Sequence, residues 1–360
     1  MTNNGILADH SGVLSGPLQI SLDITNRCMA KCLHCFNKSD DAGRADELSD
    51  IEVDYIISQI CDIKPFGFCF CGGEPLLRLN SILKASVKLT SAGVQNISMV
   101  SNGFLFTREV ALELKRCGVK MVQISLDGAT RETHERLRCL PGIYDRALAA
   151  INYLEELDIM FSVAFSPTKF NIEEFPEVVH MLKNYRNIQS IRVQPLMPLG
   201  KGKETGWELF PTESQYRILV NFIQKFQRKC NEEKCSDLKL EWGDPVDHLF
   251  RMREQNISQV YSTHILSNGC LSVSPYLPLI VGNLRRHTLK TYWDLGLGKV
   301  WELPIAEELA GMILSIQDMA DPHGDRRARF LDSNIFIDLI DDNVMSNPQH
   351  FTLNTLYDSN

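Results

Sequence analysis

Leu18-Gln19-Ile20-Ser21-Leu22-Asp23-Ile24 is a short strand-like apolar run, and four residues later comes Cys28-Met29-Ala30-Lys31-Cys32-Leu33-His34-Cys35. Three cysteines within eight residues, directly behind a strand, mark where the chemistry should be sought. Outward from this stretch the chain repeats an apolar run followed by helical periodicity. The runs predict further strands at Gly67–Cys71, Asn96–Val100, Lys120–Leu126, Met160–Phe165 and Ser190–Gln194. Val53, Ile56, Ile57 and Ile60 share one face of a helix between the first two. Ser49 and Glu52 give that helix a capping box.

Further helical patterns lie near Ile82–Leu89, Arg108–Cys117, Asp145–Leu157 and Glu173–Tyr185. Parallel neighbours need a crossover, so six strand-then-helix units predict an α/β fold with helices outside a parallel sheet. Six units suit a partial (β/α)6 TIM-like barrel better than the eight of a closed one. Active sites in such folds sit at the C-terminal ends of strands, where the cysteine trio stands. Around Pro195 the composition changes, and Pro198, Gly200, Lys201, Gly202 and Gly206 read as a loop-like boundary. The expected organisation is a tail over 1–16, the partial barrel over 17–200, a smaller α+β extension over 201–312, and an acidic tail or lid over 313–360. A helix near Tyr216–Cys230 opens the extension.

Of 360 residues, 44% are hydrophobic and 23% charged, which is enough for a core and argues against global disorder. No apolar run approaches the roughly 20 residues of a membrane helix. The start of the chain lacks a basic-then-apolar signal pattern. These features predict a cytoplasmic protein with no membrane partner. A net charge of −8 predicts no nucleic-acid partner. The eleven cysteines, an odd count, read as reduced thiols rather than a disulfide framework.

Cys28, Cys32 and Cys35 can hold three irons of a four-iron, four-sulfur cluster and leave one iron open to an outside chelate. The alternative is a structural zinc site with His34 as fourth ligand. Four features beyond the trio bear on that choice. Gly72-Gly73-Glu74-Pro75 follows the second strand, Ser101-Asn102-Gly103 the third, and Ser125-Leu126-Asp127-Gly128 ends the fourth. His134-Glu135-Arg136-Leu137-Arg138 is followed by Pro141-Gly142-Ile143-Tyr144-Asp145.

Together these residues resemble the radical S-adenosylmethionine (SAM) superfamily, in which an aromatic-type residue precedes the last cysteine, here His34. The resemblance implies a [4Fe-4S] cluster on Cys28, Cys32 and Cys35, with the methionine part of SAM on the open iron. It implies reductive cleavage to a 5′-deoxyadenosyl radical that abstracts a substrate hydrogen, with an external electron donor such as flavodoxin or ferredoxin. Gly72, Gly73, Glu74 and Pro75 would flank the cofactor, with Glu74 an anion beside its amino group. Ser101, Asn102 and Ser125 would meet it at the barrel rim, and Asp127 would meet cofactor or substrate. Arg138 would bind its carboxylate, for which a two-pronged donor is suited. Arg136 would face solvent. Phe165-Ser166-Pro167 and Gln194-Pro195 are expected near adenine or substrate.

The stretch from His134 to Asp145 resembles the peptide-modifying branch of that superfamily. Its members commonly carry a cysteine-rich extension, and Asn268-Gly269-Cys270, Val281-Gly282-Asn283-Leu284 and Thr288-Leu289-x-x-Tyr292-Trp293 resemble a degenerate SPASM/twitch-like form of it. No cysteine follows Cys270. The expected extension keeps its fold and lacks the metal, with Trp293 and Trp301 as core aromatics; a cluster on Cys230, Cys235 and Cys270 is the alternative. About 17 residues precede the first strand, so peptide recognition is expected to use the C-terminal region or a separate leader-peptide-binding protein. The leading expectation is cross-linking or epimerisation of a ribosomally made peptide. A radical enzyme acting on a small molecule is the second reading, and a non-catalytic metal-binding protein the third. For epimerisation, Cys270 is the first choice of hydrogen donor, ahead of Cys230 and Cys235. Cys69 and Cys71 read as structural.

Overall fold

The computed structural model describes residues 14–233, 238–254, 262–319 and 334–357. The first six strands are β1 (Gln19–Thr25), β2 (Gly67–Gly72), β3 (Asn96–Ser101), β4 (Val119–Ser125), β5 (Met160–Phe165) and β6 (Ile188–Val193). They pair in parallel in chain order. Between them run α1 (Asp50–Ile63), α2 (Leu79–Ala92), α3 (Arg108–Arg116), α4 (Arg131–Arg138), α5 (Ile143–Glu156) and α6 (Phe175–Leu182). Ser49 and Glu52 form the expected capping box on α1. The helix expected from Glu173 starts at Phe175, because Pro176 suits a first turn and a 3-10 turn over Ile172–Glu174 leads into it.

The strands alternate strictly. Ile20, Leu22, Phe68, Phe70, Val122, Ile124, Phe161, Val163 and Ile191 belong to one buried core. The opposite face is Ser21, Asp23, Cys71, Gln123, Ser125 and Arg192, which line a cavity of about 610 Å³. Closed barrels of this kind usually fill their interior with branched aliphatic side chains. Here the inner face carries these polar side chains beside Val100 and Ala164 and is hollow.

Two further strands continue the parallel run. β7 (Lys239–Trp242) pairs with β6, and β8 (Ser262–Ile265) pairs with β1 on the other side. The ends of this eight-strand run do not pair with each other, so the barrel is open. Before β7 come α7 (Gly200–Thr205) and α8 (Glu213–Glu233), and α9 (Pro245–Glu254) follows it in the chain. β9 (Cys270–Ser274) adds antiparallel to β8, β10 (Leu277–Asn283) adds antiparallel to β9, and β11 (Ile335–Phe336) ends the sheet parallel to β10. Beyond β11, buried Asp338 accepts the Tyr292 hydroxyl at 2.9 Å.

The glycine-rich stretch expected as a loop forms α7 instead. Gly200 has φ 52°, and a Cβ there would lie 2.4 Å from the Phe36 carbonyl oxygen. Lys201 N donates to Cys35 O at 2.9 Å. The glycine therefore lets α7 seat on the cysteine loop. No helix among the described residues is long and apolar enough to cross a membrane.

Candidate active site

The loop after β1 carries Cys28 and Cys32, both buried, and half-buried Cys35. It is pinned by Cys28 N on Asp40 O at 2.8 Å and by Leu33 N on Leu137 O at 2.9 Å. Asn102 Nδ2 points at Cys28 Sγ (3.6 Å) and Met29 Sδ (3.4 Å), while Arg138 Nη1 lies 4.0 Å from Cys32 Sγ. Burial pushes the Cys28 thiol up to about 11 and the Cys32 thiol up to about 12, with Arg138 pulling both the other way. Such thiols give up their protons when a metal takes their place.

The cavity wall holds Cys28, Cys32, Cys35, His34, Gly72, Gly73, Ser101, Asn102, Ser125 and Arg138. Ten of the expected residues thus share one space. Phe165, Ser166, Gln194 and Pro195 join them at the ends of β5 and β6. Arg136 is exposed and lies over the Phe170 ring, 4.1 Å from its centroid.

Glu74, Pro75, Asp127 and Cys270 are not on that wall. Glu74 was expected beside the cofactor's amino group, yet it is 0% exposed and its carboxylate is turned into the protein. Oε1 accepts Leu76 N (3.1 Å) and Ser101 Oγ (2.9 Å), and Oε2 accepts Asn102 N (2.8 Å). Glu74 therefore holds the Ser101-Asn102 turn from behind the cavity wall. Pro75 is buried at the start of the 3-10 turn Pro75–Arg78. The two glycines serve a close approach between strand ends. Gly72 has φ 129°, and Cβ atoms at Gly72 and Gly73 would lie 2.2 Å from Thr25 O and 2.4 Å from Arg27 O.

Asp127 was expected to touch cofactor or substrate, and it is fully buried behind Arg138. Oδ2 accepts Arg138 Nε at 2.8 Å and Nη2 at 2.7 Å and lies 3.2 Å from His34 Nε2, while Oδ1 accepts Ser166 N at 2.9 Å. Burial alone would raise its pKa, but Arg138 and His34 outweigh it and hold the carboxyl well below the usual range. Arg138 is in turn held charged: burial opposes the charge, and Asp127 raises its pKa. Cys270 opens on a separate cavity of about 210 Å³ and accepts from Asn283 Nδ2 at 3.3 Å. Cys235 lies outside the described residues.

The donor set fits an iron–sulfur cluster better than zinc. Among the described residues, the ligand atoms of His287, Asp338 and Asp341 lie within 4.8 Å of one another, and no other group of three does. The thiolates of a tetrahedral zinc site lie about 4 Å apart, from zinc–sulfur bonds of about 2.3 Å. Cys28, Cys32 and Cys35 are spread more widely, as when each thiolate takes a different iron. His34 Nε2 is turned to Asp127, and its Nδ1 is buried without a partner on the cavity wall. Arg138 Nη1 and the Asn102 amide remain to meet a polar ligand beside the sulfurs.

The far wall comes from the extension expected over 201–312, in residues not expected at the site: His248 and Met252 of α9, Thr263 and His264 of β8, with Val273, Tyr276 and Trp301. Trp301, expected in the core, is buried but borders this space, and its Nε1 has no hydrogen-bond partner. Trp293 is a core residue as expected, with Nε1 on Leu14 O at 3.1 Å. The signal in the sequence was the polar half of each strand's alternation, as in Ser21 and Asp23 or Arg192 and Gln194.

The model of the radical SAM superfamily matches residues 22–182. The chain is 28% identical over 302 residues to the AdoMet-dependent heme synthase of Methanosarcina barkeri, covering 78% of this chain and 83% of that protein. It is 30% identical over 215 residues to mycofactocin maturase MftC of Mycolicibacterium smegmatis, covering 58% of this chain and 52%, about half, of the maturase. Among solved structures, Streptococcus suis SuiB bound to S-adenosylmethionine shares the fold with a TM-score of 0.63 at 16% identity, over 79% of this chain and 67% of SuiB. Native anSMEcpe with bound AdoMet aligns with a TM-score of 0.60 at 16% identity, over 77% of this chain and 81% of that one. With the trio of cysteines inside the matched segment, residues 22–182 are a radical SAM domain, and the chain is an enzyme that works with a [4Fe-4S] cluster and SAM.

Proposed function

We propose that this enzyme modifies a side chain or α-carbon of a ribosomally made peptide. When bound, the cluster and SAM supply a 5′-deoxyadenosyl radical that takes a hydrogen atom from the substrate. Cys28, Cys32 and Cys35 hold the cluster. Arg138 Nη1 binds the methionine carboxylate, and the backbone of Gly72 and Gly73 borders the amino group. Asn102, Ser125 and His34 orient the rest of the cofactor. Glu74 and Asp127 act behind this layer, by holding Asn102 and Arg138 in place. An electron carrier of the flavodoxin or ferredoxin class reduces the cluster, and a separate protein presents the leader segment.

One observation carries the peptide reading. The cavity of about 610 Å³ runs from the cysteines to the wall of His248, His264, Tyr276 and Trp301. Ligand pockets for drug-sized molecules span about 300–1,000 Å³. SAM is of that size, so the space left suits one residue of a chain entering from outside better than a whole macrocycle. The second reading, a small-molecule substrate, draws on the similarity to a heme synthase along most of its length.

The test is anaerobic turnover of the reconstituted protein with a reductant, SAM and either candidate precursor peptides or iron tetrapyrroles. Peptide-dependent 5′-deoxyadenosine with a changed peptide mass is the expected result. Turnover with a tetrapyrrole alone would transfer the assignment to the second reading.

A further inference from the structure

Two arginines line the cavity, and the protein treats them differently. Arg138 is clamped by the Asp127 carboxylate, whereas Arg192 has no carboxylate within ion-pair distance among the described residues. Arg192 is exposed on the inner face of β6, in register with Ala164 of β5 and Glu241 of β7. Glu241 is not on the wall and forms no ion pair with it. The one acidic side chain on the wall among the described residues, Asp23, is committed elsewhere, with Oδ1 3.0 Å from His264 Nε2.

The guanidinium points at the far wall. A Cβ on Gly243 would lie 3.4 Å from Arg192 Nε and 3.7 Å from Nη2, so the group rests on the turn between β7 and α9. Burial raises the Tyr276 pKa and Arg192 pulls it back, which sets the cation beside the phenol. Burial first, and then Arg251 and Arg192, lower the pKa of His248, so that this imidazole is neutral and Arg192 carries the charge. Trp301, on the same wall, adds a buried indole N–H with no hydrogen-bond partner. A cation and spare donors in a cleft without a counter-charge favour an anion from outside, and a planar guanidinium matches a carboxylate.

We propose that Arg192 is a specificity-determining residue that binds a carboxylate of the substrate, either an acidic side chain or the C-terminal carboxylate of a peptide. This rests on the peptide reading and narrows its substrate class. The cofactor's own carboxylate is assigned to Arg138, beside the cysteine loop that follows β1, while Arg192 stands on β6, five strands along the sheet. Held there, the acidic group would fix which substrate carbon faces the deoxyadenosyl radical.

The experiment compares wild type, Arg192→Gln and Arg192→Lys, reconstituted anaerobically, on precursor peptide. Matched peptides carry each acidic side chain as its amide, or an amidated C-terminus, and an iron tetrapyrrole is run as free acid and as methyl ester. Iron content and SAM affinity are read on the same samples. Wild type is expected to show a KM raised about tenfold or more when one particular carboxylate becomes an amide, and which change does so identifies the source. Arg192→Gln should raise KM on the acid to the same degree and lose the distinction between acid and amide, and Arg192→Lys should recover part of it. Iron and SAM affinity should stay at wild-type values in both. Wild type that handles acid and amide alike, an Arg192→Gln protein that keeps the preference, or weakened SAM binding in that variant overturns the assignment. Unchanged peptides together with a tetrapyrrole turned over as acid but not as ester would sink the peptide reading and leave Arg192 as the carboxylate site.

Discussion

Asp127 Oδ2 receives both Nε and Nη2 of Arg138, at 2.8 and 2.7 Å, and so decides that Nη1 is the nitrogen left facing the cavity beside Cys32. The same carboxylate meets His34 of the cysteine loop and Ser166 at the end of β5. One buried charge thereby ties together the loop, α4 and two strand ends.

Removing that charge should be felt twice. Asp127→Asn keeps the shape but leaves Arg138 buried without its counter-charge, and breaking a buried pair costs about 3–5 kcal/mol. The variant should retain its iron, unfold at lower denaturant and bind SAM at least tenfold more weakly, since about 1.4 kcal/mol is a factor of ten. Anaerobic equilibrium dialysis with labelled SAM measures the second effect. Wild-type affinity would show that Arg138 does not need Asp127 to meet its ligand.

Glu74 should behave as a structural residue. Glu74→Ala leaves Leu76 N, Asn102 N and the Ser101 hydroxyl without their acceptor. Each orphaned buried donor costs about 1–3 kcal/mol. Denaturant unfolding should show a loss of several kcal/mol, whereas Arg138→Lys, which keeps a charge for Asp127, should lose SAM affinity with a smaller loss of stability. A Glu74→Ala protein of full stability and poor SAM binding would return Glu74 to a direct contact.

The six parallel strands were legible because each is a compact apolar run bounded by turns, and Met160–Phe165 was placed to the residue. β7 and β8 were not, because each is only four residues long and carries charged or polar side chains such as Lys239, Glu241 and His264. Their pairing is set by the edges of β6 and β1, which no local pattern announces. The same limit applies inside the site. Position along a strand end was readable for Glu74 and Asp127, but the direction of a carboxylate depends on which backbone N–H groups and cations converge from elsewhere. Gly200 and Gly202 read as a loop because their use, seating α7 against Cys35 O, is a long-range contact.

The cluster assignment predicts about four irons per chain after anaerobic reconstitution. Simultaneous alanine substitution of Cys28, Cys32 and Cys35 should abolish iron binding and the visible absorption. Cys230→Ala and Cys270→Ala should retain both, as neither thiol lies on the cavity wall. Four irons remaining in the triple variant would place the cluster elsewhere, and eight in wild type would reveal a second one.

His134 gives the fold a pH dependence that can be isolated. It is buried, its Nδ1 accepts Asp127 N at 2.9 Å, and its Nε2 has no partner. Burial first, and then Arg138, hold its pKa down to about 3. In an unfolded chain histidine titrates near about 6.5. Between those values the unfolded state binds a proton that the folded state does not, so stability rises with pH across that window. The contribution is fully present above about 6.5 and is lost as pH falls toward about 3. From pH 7 to pH 5.5 the loss from this one group is about 1 kcal/mol. In His134→Asn the amide oxygen can still accept the Asp127 N–H, and nothing titrates. Anaerobic urea unfolding of both proteins at the two pH values should show wild type losing about 1 kcal/mol more than the variant. Equal losses would mean that His134 takes up its proton in the folded protein near its ordinary pKa, and that the wall behind Arg138 is more open to water than its burial indicates.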